Sequence, residues 1–455
     1  MYLYDNAEDN AMKIPKKPPE FGEIWERIRD DRELIPKIFG ERFPLSVKGK
    51  YLHWDKLIYY TPPKDLTHEQ WWYALKMQRR SLFKQVTLND KDGKPFSYLE
   101  VDPIPEILHE IDQGTGGLIR MPEQITNPDT KDQYYVGSLI QEAITSSQLE
   151  GAATTREIAK DMIKTGRAPR DKSEQMILNN FKTMRRIGKL KDERLSKELV
   201  FHLQQIITDE TLNDTSAAGR FRKADERIVV GDMYNETFHD PPPAQQLEER
   251  MTAMCDFANG KTPSGFIHPV IRSIILHFWL AYDHPFIDGN GRTARALFYW
   301  SMLRHNFWLF EFISISQIIR KAPVKYGRAF LYTETDDNDL TYFILYHLDV
   351  IRRAIKELHK YIKRKTERLQ AIERELRGVA SLNHRQRALI SHALRHPYHQ
   401  YTIRSHQTSH NVVYQTGRLD LFDLENRGLL TTQKIGRTWY FTPVGDLEEK
   451  LAKLD

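Results

Sequence analysis

A single cysteine, Cys255, stands in the 455 residues, within Met-Thr-Ala-Met-Cys-Asp-Phe on a stretch that reads as a helix. An internal disulfide and a multi-cysteine zinc site are thereby excluded, and a reducing, cytoplasmic setting is the expectation. Long apolar runs are missing too. No segment has the length that a bilayer-spanning helix needs, and Met1 to Asn10 is polar and acidic without the apolar centre of a secretory signal, so the expectation is a soluble chain with no membrane partner. An excess of either charge is also lacking: 67 Lys and Arg against 62 Asp and Glu leave a formal charge of +5. That balance argues against a dedicated nucleic-acid or membrane binder, and any basic patch must be local. What the chain does have is 40% hydrophobic and 28% charged residues, enough for a sizeable core in two or three domains.

Residues 1–130 read as an N-terminal accessory region. Prolines (Pro15, Pro18, Pro19, Pro62, Pro63, Pro103, Pro105) are mixed with Trp25, Trp54, Trp71 and Trp72, and turns are marked at Asp90-Lys-Asp-Gly93 and Gly114-Thr-Gly-Gly117. The tryptophans read as packing residues. Residues 131–340 read as a helical core. In Pro269 to Tyr282 one stripe is formed by Ile271, Ile274, Ile275, Phe278 and Tyr282 and a second by Leu276, Trp279 and Leu280, a helix buried on most faces. Within this core Ile228-Val229-Val230 followed by Gly231 favours a strand, which is read as a small hairpin ending before Pro241-Pro242-Pro243. Residues 341–378 carry Ile344, Leu348, Ile351, Ile355, Leu358, Ile362, Leu369, Ile372 and Leu376 at three-four spacing, the pattern of a long connecting or dimerising helix. Residues 379–455 read as three short helices and a two-strand wing, a winged helix-turn-helix. The fold class expected is mainly α.

The segment His284-Pro285-Phe286-Ile287-Asp288-Gly289-Asn290-Gly291-Arg292-Thr293-Ala294-Arg295 carries the chemistry. A buried helix ends near Tyr282, Gly289 and Gly291 permit a tight loop, and a new helix starts near Arg292. Loop amides beside a helix N-terminus form an anion site. Taken singly, a histidine after a helix is most often structural and Gly-Asn-Gly a plain turn; together in one window they are not. The segment resembles the Fic signature HPFx(D/E)GNGRxxR at every fixed position.

The resemblance implies a Fic-type helical core and a role for each residue. His284, whose free pKa lies near neutrality, is the base that takes the proton of an attacking hydroxyl. Asp288 offers one hard oxygen to Mg²⁺ arriving with ATP. Asn290, Arg292 and the amides of Gly289 and Gly291 bind the α- and β-phosphates, and Arg295 reaches the γ-phosphate. His268 and His277 lie on the same helical segment, but no His-x-x-x-His or carboxylate pair completes a zinc shell, so they are read as core hydrogen-bonding residues.

Two further segments extend the resemblance. Gly219-Arg220-Phe221-Arg222 through Ile228, Val229 and Val230 to Pro242 is similar to the Fic flap, whose edge presents a target segment to the histidine; a hairpin that merely shields the pocket is the other reading. Ser146-Ser147-Gln148-Leu149-Glu150-Gly151 resembles the inhibitory pattern (S/T)xxxE(G/N), here on a helix preceding the core, and implies that Glu150 pairs with Arg295 in the place of the γ-phosphate. Tyr326 and Tyr332 are candidates for the adenine pocket. The function implied is transfer of AMP from ATP to a Ser, Thr or Tyr hydroxyl of a target protein or of the chain itself. Transfer of another phosphate-linked group and removal of AMP at the same site are alternatives. A DNA-binding regulator is the rival class, with Asn411, Gln415, Arg418, Lys434 and Arg437 as contacts, and with Asp420, Asp423 and Glu425 on the same helix weakening phosphate attraction. A homodimer is a further expectation.

Overall fold

The structure, a computed structural model, describes residues 12–40, 43–63, 65–115, 128–231, 236–378, 381–397 and 399–451. These fall into two compact units, one within 1–117 and 138–355, the other within 118–137 and 356–455.

The first unit opens with α1 (Phe21–Ile28) and α2 (His68–Arg80). Thr67 starts α2 through a capping box, accepting from the Gln70 N–H at 3.2 Å while the Gln70 side chain accepts from the Thr67 N–H at 2.8 Å. Trp54 and Trp72 pack edge to face at 5.9 Å in a core shared with Ile24, Ile28 and Leu75, so these tryptophans are packing residues. An antiparallel pair, β1 (Lys84–Asn89) and β2 (Pro95–Tyr98), closes over the turn at Asp90 to Gly93. The sequence marks that turn but not its flanking strands. The second marked turn does not start at Gly114, because a helix runs through Ile104–Thr115; residues 116 and 117 lie outside the described residues.

The helical body of this unit follows: α3 (Pro128–Gln148) from residue 138 on, α4 (Lys172–Leu190), α5 (Lys197–Thr208), the strands β3 (Val230–Gly231) and β4 (Thr237–His239), then α6 (Leu247–Ala258), α7 (Pro269–Asp283), α8 (Asn290–Arg304), α9 (Pro323–Thr335) and α10 (Thr341–Gly378) up to residue 355; the rest of α3 and α10 falls in the second unit. α7 and α8 pack on each other at the centre, and α4 and α5 lie against α8. His268 caps α7, accepting from the Val270 N–H, and Pro269 occupies its first turn. Every residue from Val270 to Leu280 is buried, which explains why apolar side chains occupy more than one stripe. α7 ends where His284 turns left-handed at φ 45° and ψ 55°. Gly289, at φ 85°, then starts α8 at Asn290, two residues before the expected position. A Cβ on Gly289 would lie 2.9 Å from Thr208 Cγ2 of α5, so both backbone conformation and space favour glycine.

The second unit holds α11 (His384–Arg395), β5 (Tyr401–Thr402), α12 (Ile403–His410), α13 (Tyr414–Asn426), β6 (Leu430–Ile435) and β7 (Thr438–Pro443). β7 lies between β5 and β6 in a three-stranded antiparallel sheet, so one short strand joins the anticipated hairpin. Leu389, Ile390, Leu421, Leu424, Leu430 and Phe441 form its core.

Candidate active site

His284 sits directly after α7, where the chain leaves the helix. Its Nδ1 is 3.1 Å from Ala281 O, an acceptor, so the ring proton resides on Nδ1 and Nε2 keeps a lone pair. That is the arrangement a general base requires. Burial holds the imidazole down at about 3, so the ring is neutral across the physiological range.

The loop from Pro285 to Gly291 is closed by Asn290, whose side-chain amide accepts from the Phe286 N–H at 2.9 Å and donates to Phe286 O at 2.7 Å. Asn290 was expected on the phosphates; in the structure its amide serves the loop. Arg292 is fully buried and donates to Ile207 O at 3.0 Å and to Asp288 Oδ1 at 3.3 Å. Asp288 Oδ1 also accepts from the Gly289 N–H at 2.5 Å, and the Asp288 side chain is 40% exposed, so it can offer an oxygen outward. Arg292 Nε and Arg295 Nη1 are buried and have no hydrogen-bond partner among the described residues. Two buried guanidinium donors left open beside a helix N-terminus fit an anionic, phosphate-bearing ligand, and an outward Asp288 oxygen fits the hard cation that accompanies it.

Ser146 and Glu150 meet Arg295. Arg295 Nε donates to Ser146 Oγ at 2.8 Å, and Nη2 donates to Ser146 O at 3.0 Å and to Glu150 Oε1 at 2.9 Å. Glu150 is not on the helix as anticipated. α3 stops at Gln148, the Glu150 N–H bonds to Ser147 O at 3.0 Å, and Gly151 turns at φ 93°. This turn aims the carboxylate at the start of α8, where a Cβ on Gly291 would overlap Glu150 Oε1. Burial pushes the Glu150 carboxyl up, but the attraction and hydrogen bond of Arg295, together with the charge of Arg292, leave the net shift downward.

The hairpin is shorter than the run Ile228-Val229-Val230 suggests. β3 begins at Val230, which pairs with His239, while Ile228 and Val229 precede the strand. Residues 232–235 lie outside the described residues. Val229 is 40% exposed, so a side chain remains open next to the short strand. Tyr326 is buried with its hydroxyl 2.9 Å from His277 Nε2, which gives His277 the core hydrogen-bonding place expected of it. Tyr332 stacks on His53 at 4.5 Å, within the N-terminal part of the unit.

Sequence reasoning overlooked three side chains here. Gln204 of α5 donates to Asp288 O at 3.1 Å and accepts from the Gly219 N–H at 2.6 Å, joining the anion loop to the start of the flap. Arg222 donates through Nε to His284 O at 2.9 Å. His239 reaches Tyr282 O at 2.7 Å. Only Arg222 belonged to a quoted motif, and nothing in that motif separates it from Arg220, which pairs with Glu226.

Residues 194–302 match the Fic/DOC family, so the chain carries a Fic domain made of α5 to α8 and the hairpin between them. Among curated relatives, protein adenylyltransferase Fic of Nematostella vectensis is 39% identical over 90 residues, 20% of this chain and 19% of that protein. Protein adenylyltransferase fic-1 of Caenorhabditis elegans is 34% identical over 94 residues, 21% of this chain and 17% of that protein. The chain thus spans less than a fifth of the length of these relatives. A solved Fic family protein from Desulfovibrio desulfuricans G20 shares the fold with a TM-score of 0.50 at 18% identity, over 76% of this chain and 97% of that one.

Proposed function

We propose that the chain is a protein adenylyltransferase that moves AMP from ATP to a protein hydroxyl and is held back by Glu150. The observation that carries the reading is the neutral His284, its Nε2 lone pair free of the Ala281 contact, on the loop that leads to the open guanidinium donors of Arg292 and Arg295. The triphosphate lies along the start of α8, where Arg292 and the Gly291 amide take the α- and β-phosphates and Arg295 takes the γ-phosphate once Glu150 withdraws; the Gly289 N–H, also expected on the phosphates, is taken by Asp288 Oδ1. The target hydroxyl oxygen attacks the α-phosphorus, its proton passes to His284 Nε2, the bond to the bridging oxygen breaks, and pyrophosphate leaves with the negative charge. Asp288, with its outward oxygen, would hold a Mg²⁺ ion arriving with ATP, and that ion would supply Lewis-acid neutralisation of the phosphates. Asn290 keeps the loop closed.

Identity of the transferred group is decided by mass spectrometry of a modified target: an added AMP supports the reading, and an added phosphate alone moves the chain to kinase-like chemistry. Within this reading 131–340 is the catalytic region with its inhibitory segment, 1–130 an accessory region and 341–378 the connecting helix. Residues 379–455 form a winged helix.

The winged-helix assignment rests on the order of three helices and a hairpin in that unit. Its acidic residues are paired: the buried Asp420 accepts from Arg385 Nε at 2.7 Å and Asn383 Nδ2 at 2.7 Å, and Asp423, whose side chain stays 42% exposed, accepts from Gln386 Nε2 at 2.7 Å. The objection that their charge repels phosphate is therefore weaker, and Asn411, Gln415, Arg418, Lys434 and Arg437 are exposed. Val413, Tyr414 and Leu419 are exposed beside them, which suits a protein partner. Duplex retention that falls steeply with salt would favour DNA; none at low salt would remove it.

A further inference from the structure

The last carbonyls of a helix have no partners inside it. At the end of α7 those of Tyr282 and His284, and that of Pro285 beyond them, are taken by residues from the two sides of the β3–β4 hairpin. On the approach to β3, Arg222 Nε donates to His284 O at 2.9 Å, the Arg222 N–H donates to Pro285 O at 2.9 Å, and Arg222 Nη2 donates to Pro242 O. Arg222 is 8% exposed, and these partners are backbone oxygens, so the guanidinium works as a clamp on the chain. At the end of β4, His239 Nε2 is 2.7 Å from Tyr282 O and its Nδ1 is 2.7 Å from Glu334 Oε2. Both partners are acceptors, so both ring nitrogens donate. Between these grips lies His284 in the left-handed conformation, which a residue with a Cβ does not adopt without support.

We propose that Arg222 and His239 are positioning residues that set the catalytic His284 from the hairpin, so that the segment meant to present the target also fixes the aim of the base. Neither touches the reacting atoms. Arg222 acts through the carbonyls of His284 and Pro285, and His239 through that of Tyr282, two residues before His284. The inference rests on adenylyl transfer with His284 as base. It adds that alignment of the base depends on the hairpin, and that a displaced His284 backbone lowers turnover without weakening nucleotide binding, which the α8 end supplies. Catalysis is sensitive to displacements of about 1 Å, which can cost on the order of 10²-fold.

The test uses the full chain carrying Glu150→Gly, with Arg222→Gln, Arg222→Lys and His239→Gln added singly. Expected is a fall in kcat of at least about tenfold for Arg222→Gln and His239→Gln, with KM for ATP within about twofold. Arg222→Lys, which keeps the charge but not the fork, should fall between them and the parent. A second readout does not need turnover: by NMR, the buried, neutral His284 ring should become easier to protonate when the clamp is cut. If the folded variants keep the parent kcat and His284 titration, or lose ATP binding in step with kcat, or if all of them fail to fold, the inference is overturned. A Glu150→Gly parent with no transfer at all is instead a failure of the adenylyl-transfer reading, and the His284 titration still decides the clamp.

Discussion

Arg295 Nη2 and Glu150 Oε1 lie 2.9 Å apart, joining a side chain on the first turns of α8 to one in the turn after α3. The two charges are buried, with Arg295 at 1% and Glu150 at 11% side-chain exposure. Removing one partner of such a pair leaves the other uncompensated, unless a ligand supplies a new one. ATP is such a ligand. Glu150→Gly is therefore expected to raise auto- or target modification by on the order of 10- to 100-fold, the range a realigned phosphate allows. A labelled-ATP incorporation assay checks this. Flat activity across ATP concentrations with Mg²⁺ or Mn²⁺ would end the inhibitory assignment.

Ser146 holds the same guanidinium through its hydroxyl at 2.8 Å. Ser146→Ala removes that contact but leaves the carboxylate, so activation should be smaller than for Glu150→Gly. A hydrogen bond to a charged group contributes about 1.5–3 kcal/mol, which caps the gain at roughly 10- to 100-fold if all of it shifts the equilibrium. Side-by-side initial rates give the ranking. Greater activation by Ser146→Ala than by Glu150→Gly would contradict it.

His284 sets a pH signature. Its folded pKa is about 3, against an ordinary value of about 6.5. As pH falls below about 6.5 the unfolded chain takes up a proton that the folded chain refuses until about 3, so this residue removes stability across that window and is silent above it. Wild type should accordingly lose more stability than His284→Ala between pH 7 and pH 5, measured by denaturant unfolding. Equal losses would show that the histidine is accessible and ordinary.

His284→Ala in the Glu150→Gly chain should lower transfer by about 10² to 10⁴ and leave ATP affinity within about threefold, because a base is lost and the anion loop is not. Isothermal titration alongside the rate assay separates the two effects.

Much of this site was legible because it is contiguous. His284 to Arg295 lies in one window, and its glycines mark the loop that the left-handed Gly289 makes. Ser146 and Glu150 were legible as a spacing, yet the spacing could not show that Glu150 leaves the helix, since that depends on where Gly151 turns. Arg222 and His239 were illegible for another reason: their partners lie 62 and 43 residues away, and the contacts go to backbone oxygens that have no sequence identity to read. Asn290 illustrates a third limit. A side-chain amide serves equally as a ligand donor or a loop clamp, and only the position of Phe286 decides between them. β1 and β2 escaped because Lys84–Asn89 buries just Val86 and Leu88, a weak alternation that their packing neighbours reinforce.

The most direct measurement of the central claim is incubation of the Glu150→Gly chain with Mg²⁺ and ATP labelled in turn at the α- and the γ-phosphorus, with the His284→Ala double variant beside it. Label entering protein from the α-position alone, and absent in the double variant, is the result expected. Label entering from the γ-position, or persisting without His284, would contradict it.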